Sequence, residues 1–115
     1  MKNHLKVNFR SDPENRKKQV YAVRGRVWIW SSGSSGAWHF VTIPAARSRE
    51  IRHRHGGTSR GWGSIPVVVT LGKSVWKTSI FPYSKVKAYI LPLKAEVRKK
   101  EGVRPKSMIA FTLAI

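Results

Sequence analysis

The stretch Val20-Tyr21-Ala22-Val23-Arg24-Gly25-Arg26-Val27-Trp28-Ile29-Trp30 decides the fold class. Tyr21, Val23, Gly25, Val27 and Ile29 fall on one side of it, and Val20, Ala22, Arg24, Arg26, Trp28 and Trp30 on the other. A period of two sustained over eleven residues is the signature of a strand, because successive side chains of extended backbone point to opposite faces. One face is aliphatic apart from its tyrosine and glycine, so it belongs to a core. The other mixes guanidinium and indole groups, a composition suited to solvent or to a partner.

Outward from this strand, Ser31-Ser32-Gly33-Ser34-Ser35-Gly36 reads as a loop, and Ala37 to Ile43 as a second, partly β-branched strand, so the two form a hairpin. Pro44 stops the strand and opens a short, weakly amphipathic helix over Ala45 to His55, closed by Gly56-Gly57. Gly61-Trp62-Gly63 signals a turn or bulge before a β-branched run from Ile65 to Leu71, and Gly72-Lys73 turns into Val75 to Phe81. Lys85 to Leu91 alternates once more, with Val86, Ala88 and Ile90 opposite Lys85, Lys87 and Tyr89. After Pro92, Leu93 to Glu101 predicts a second helix, with Arg98, Lys99 and Lys100 in its last turn and Gly102 at its end. Met108 to Ile115 places Ile109, Phe111, Leu113 and Ile115 on one face of a final strand. Six short strands without regular βαβ alternation predict a mainly β fold: a closed or nearly closed antiparallel barrel with two short helices, spanning residues 20–115.

Composition narrows the function classes. The chain of 115 residues carries 23 Lys and Arg against five Asp and Glu, a formal charge of +18. Residues 1–19 read as a flexible basic arm. The remaining body still holds 17 basic residues against Glu50, Glu96 and Glu101, a balance of +14. Such a field repels itself in the compact state and attracts polyanions. The absence of cysteine excludes disulfides, thiolate metal sites and cysteine nucleophiles. No apolar run suits a signal peptide or a membrane span, so the expected setting is soluble and cytoplasmic.

Four stretches together resemble an uncharacterised prokaryotic family catalogued as domain of unknown function nineteen-oh-five. They are Trp38-His39-Phe40-Val41-Thr42-Ile43-Pro44, Gly61-Trp62-Gly63-Ser64, Trp76-Lys77-Thr78-Ser79-Ile80-Phe81-Pro82, and Tyr89-Ile90-Leu91-Pro92-Leu93-Lys94 continuing through Val97-Arg98-Lys99 to Gly102. The resemblance runs from about Val20 to the C-terminus. It implies a six-stranded β-barrel, found beside or fused to a domain associated with bacteriocin protection, and no established activity. Two departures add positive charge: Pro105-Lys106-Ser107 stands where the family's pattern has a Gly-Asp turn, and Tyr83-Ser84-Lys85 where it tends to acidic, glycine-containing turns.

Catalytic motifs are absent. The chain has no glycine-rich phosphate loop, nucleophile elbow or His-Glu-x-x-His helix, and five acids give paired-carboxylate chemistry almost no material. The pair His53 and His55 has arginine neighbours, a poor place for a dication, so neither a metal site nor a cofactor is expected. His39, flanked by Trp38 and Phe40, could meet Thr78 and Ser79 across adjacent strands as base and nucleophile, or line a pocket for a small acidic ligand. No carboxylate is evident to orient the imidazole, so a structural role for His39 is favoured. Trp38, Trp62 and Trp76 read as packing residues. Trp28 and Trp30, sharing a face with Arg24 and Arg26, form the composition that stacks bases and tracks phosphates on single strands. Cover by the arm or by a second copy is the competing account of these two rings. Arg52 and Arg54 on the first helix, with Lys99 and Lys100 on the second, supply outer attraction.

The leading expectation is therefore a non-enzymatic module for a polyanion such as single-stranded nucleic acid. The alternatives are a small-ligand barrel built on His39, Thr78 and Ser79, and a module that binds an acidic protein in a protective or stress pathway.

Overall fold

Six antiparallel strands close on themselves in the order β1-β2-β5-β4-β3-β6 in a computed structural model that describes residues 19–31, 33 and 36–115. The strands are β1 (Val20–Ser31), β2 (Ala37–Thr42), β3 (Ile65–Leu71), β4 (Ser74–Tyr83), β5 (Ala88–Pro92) and β6 (Met108–Ala114). Helix α1 (Ala45–His55) follows β2, and α2 (Ala95–Glu101) follows β5. The mainly β barrel with two helices is thus the observed architecture. The basic arm read over residues 1–19 lies, apart from Gln19, outside the described residues. Gln19 itself exchanges backbone hydrogen bonds with Ile115 (3.4 and 2.9 Å), one step beyond the β1–β6 ladder.

Strand alternation sets the inside of the barrel. Tyr21, Val23 and Val27 of β1 are buried, and they face Val41, Val67, Val69, Ile80, Leu91, Phe111 and Leu113 in one apolar cluster. Each fully buried Val, Leu or Ile contributes about 1.5–3 kcal/mol, and here the inward positions of six strands supply them. Gly25 occupies an inward position where β1 passes close to β2. A Cβ there would lie 2.7 Å from both the Thr42 carbonyl oxygen and Val41 Cγ2, so only glycine fits.

The helices plug opposite ends. Ile51 and Ser48, three apart on α1, are its buried residues, and α1 lies against Tyr21 at the start of β1 and Tyr89 at the start of β5. Helix α2 buries Val97 and lies against Ser74 at the start of β4 and His39 at the start of β2. Because neighbouring strands run antiparallel, the first set of strand ends is opposite the second. Pro44 lacks a side chain able to cap α1, yet its carbonyl accepts from Ser48 N (2.8 Å) and begins the helix. Gly102 takes the left-handed conformation (φ 67) that ends α2, and its N–H donates to Arg98 O.

Two expectations are corrected in detail. The segment read as a strand from Lys85 is a turn as far as Lys87, whose φ is +51, and β5 begins only at Ala88. Lysine alternation mimics a strand where the chain is merely exposed. The second helix starts at Ala95 and not at Leu93, because Lys94 remains extended (φ −72, ψ 155) while Leu93 is buried in the core.

Candidate nucleic-acid interface

Arg24, Arg26, Trp28 and Trp30 do share the outer face of β1, as the alternation requires. Arg24, Arg26 and Trp30 are exposed, and Trp28 is half-buried. The hairpin register adds to this row. Trp28 stands opposite Phe40, and Trp30 opposite Trp38, so β2 places two more aromatic rings on the same outer face. Tyr83 at the end of β4 supplies another.

These side chains form one cluster. The rings of Trp28 and Phe40 lie 5.0 Å apart with a 35° tilt, those of Trp28 and Tyr83 6.0 Å apart and nearly parallel, and those of Trp38 and Phe40 6.3 Å apart and nearly parallel. Trp28 is anchored further, since its indole N–H donates to Thr42 Oγ1 at 2.8 Å. Trp28, Trp30, Trp38, Phe40, Tyr83 and Ile90 line a groove of about 540 Å³. Ile90 points outward yet is only 8% exposed, the sign of a floor covered by rings. Trp30 and Trp38, 48% and 56% exposed, form its open lip.

Sequence reasoning reached two of the five rings. Trp38 reads as core because it sits in an apolar run, but its partner Trp30 already faces outward, and cross-strand partners share a face. That register was the signal that could have found Trp38 and Phe40. Tyr83 carried none, because its approach to Trp28 depends on the closure of the barrel. Trp62, also read as a packing residue, is 95% exposed, whereas Trp76 does pack partly against the core.

Cations flank the groove at β1 and at the β4–β5 turn. Arg26 lies two residues along the outer face from Trp28, its Nη1 donating to the Lys106 carbonyl at 2.9 Å. Lys85 and Lys87 are exposed in the turn between Tyr83 and Ala88. The other four basic residues named from sequence are not gathered here. Arg52 and Arg54 sit on α1, the former over the Tyr89 ring (5.7 Å) and the latter donating to Gln19 Oε1 (3.0 Å). Lys99 and Lys100 are exposed on α2, at the other end of the barrel. The charge is spread over both ends and one strand face.

His39, Thr78 and Ser79 do not form the adjacent set that the alternative reading needs. Strand β5 lies between β2 and β4, so the expected meeting across neighbouring strands is overturned by the strand order. His39 instead meets α2, where an Arg98 guanidinium nitrogen donates to its Nε2 at 3.3 Å. That contact leaves the proton of the neutral ring on Nδ1, which is buried without a hydrogen-bond partner. Burial first, and the Arg98 charge second, hold the His39 pKa below its ordinary 6.5. At the other end the Tyr21 hydroxyl and His55 Nε2 lie 3.0 Å apart, with the rings edge to face. Among the described residues no helix is long and apolar enough to cross a membrane.

No curated protein and no solved structure matches the chain. The family model described as a domain of unknown function (DUF1905) matches residues 24–113, which take in all of the barrel but the first four residues of β1 and the last of β6, with both helices and every ring of the groove; the chain belongs to that family.

Proposed function

We propose that the protein is a binding module for single-stranded nucleic acid, held on the outer face of β1, β2, β5 and β4. The observation that carries this reading is the groove of stacked rings beside Arg26, Lys85 and Lys87 on a body with 17 basic and three acidic residues. Flat, half-open aromatic surfaces stack bases of any sequence, and cations beside them follow the phosphates. Trp30 and Trp38, with the most exposed rings of the groove, take the stacking role. Trp28, Phe40 and Tyr83 pack against one another and hold the platform rigid. Charges on α1 and α2 do not line the groove, and they raise the encounter rate through the overall field.

The test is anisotropy of labelled oligothymidylate and oligouridylate titrated with protein across sodium chloride concentrations. Affinity falls roughly 10²–10³-fold between 50 and 200 mM salt if about six phosphates are neutralised. Trp30→Ala and Trp38→Ala each weaken binding about 5- to 100-fold without changing the salt slope, whereas Arg26→Gln lowers the slope. A flat salt response, or no binding at low salt, overturns the reading.

A further inference from the structure

Trp62 is the most exposed large apolar side chain among the described residues, at 95%, and its backbone is left-handed (φ 66, ψ 12). Both features disfavour tryptophan. A bulky residue pays for this conformation in steric strain, and an indole in water returns no packing. Glycine would adopt the same backbone freely and would lose no core contact.

The turn that carries Trp62 is closed. Arg60 N–H donates to Ser64 O at 2.8 Å and Gly63 N–H to Arg60 O at 2.8 Å, while Ser64 Oγ donates to Gly61 O at 3.2 Å. Gly63 (φ 77) lies against Pro82, so closely that a Cβ would come within 3.1 Å of its ring. The indole is therefore held outward by a fixed support, and that support rests on the residue preceding Tyr83 of the groove.

We infer that Trp62 is an outlying stacking post for the same nucleic-acid strand, which leaves the groove at Tyr83 and places a further base on the Trp62 indole. This rests on the reading given under Proposed function. Charge selects the occupant: a body of 17 basic and three acidic residues repels a second copy of itself and attracts a polyanion. Nucleic acid unites repeated negative charge with flat π faces, the one property that an isolated exposed indole recognises. Arg60, exposed in the same turn, is placed for the phosphate of that nucleotide.

The test uses the full chain with Trp62→Gly and Trp62→Phe, and with Trp38→Ala as the groove control. Binding is measured to oligothymidylates of four and twenty nucleotides. W62G melts at the wild-type temperature or above, since glycine relieves the left-handed strain. Its affinity for the 20-mer falls about 5- to 100-fold, as expected for one lost base stack, while the tetramer, which fills only the groove, binds as before. W62F retains most of the 20-mer affinity. Wild-type 20-mer binding by W62G, alongside weakened binding by W38A, overturns the role of Trp62 and leaves the groove reading standing. Failure of the wild-type protein to bind either oligonucleotide overturns both. A lower melting temperature in W62G shows a packing role and also overturns the inference.

Discussion

The indole N–H of Trp28 donates to the Thr42 hydroxyl at 2.8 Å, tying an outward-facing ring of β1 to the adjacent strand. Trp28 contacts both Phe40 and Tyr83, so this one bond orients the ring on which the groove is assembled. Thr42→Val keeps the shape of the side chain and removes the acceptor. We expect it to cost about 1 kcal/mol, read as a lower urea midpoint with an unchanged m-value. Thr42→Ser retains the acceptor and serves as the control. Equal midpoints for T42V and T42S would show that the bond contributes nothing.

At Gly25 the backbone of β1 passes too close to the Thr42 carbonyl of β2 to admit a side chain. A Cβ at position 25 meets a backbone oxygen and the fully buried Val41 side chain together, each at 2.7 Å. Gly25→Ala is expected to cost about 3 kcal/mol, at the upper end for overpacking, because a backbone atom cannot swing aside. Val41→Ala in the same chain removes only the side-chain clash, so the double variant should recover little of the loss. Full recovery would place the strain in Val41 alone. Thermal or urea unfolding of the three variants decides the matter.

Ser48 joins α1 to the barrel through one hydroxyl, which donates to Ile43 O at 2.9 Å and accepts from Tyr89 N at 3.0 Å. Both Ser48 and Tyr89 are buried, so Ser48→Ala leaves a backbone N–H without an acceptor. The expected loss is about 1–3 kcal/mol. Glu96→Gln offers the contrast: its pair with Lys94 spans 3.8 Å on an exposed surface, and the change should stay within about 0.5 kcal/mol. A Ser48→Ala variant as stable as Glu96→Gln would refute the anchoring role.

What was legible in the sequence followed from local physics. Alternation located β1, and Ile65–Leu71 matched β3 residue for residue because Gly63 and Gly72 bracket it. Pro44 and Gly56 delimited α1 although its apolar face is little more than Ile51. Properties set by closure were not legible. Which strands neighbour one another is decided only when all six pair, so the insertion of β5 between β2 and β4 separated His39 from Thr78. An aromatic residue on a strand reads alike whether it faces core or solvent, which is why Trp38 passed for packing. Trp28 and Trp30 were distinguished only because Arg24 and Arg26 share their face.

His39 gives the barrel a pH dependence whose sign follows from its surroundings. Burial, with the Arg98 charge behind it, lowers the folded-state pKa below the ordinary 6.5 of the unfolded chain. Between those two values the unfolded state binds more protons, so stability rises with pH. The contribution is complete above about 6.5 and is lost as pH falls through the folded-state value. His39→Gln carries no titrating ring, and the difference between its urea midpoints and those of the wild type should shrink or change sign as the buffer moves from pH 8 to pH 5. Arg98→Met removes the charge but leaves the burial, so it should retain part of the wild-type slope. Parallel pH profiles for wild type and His39→Gln would show that the imidazole titrates alike in the folded and unfolded chains, against the lowering by burial and by the Arg98 charge.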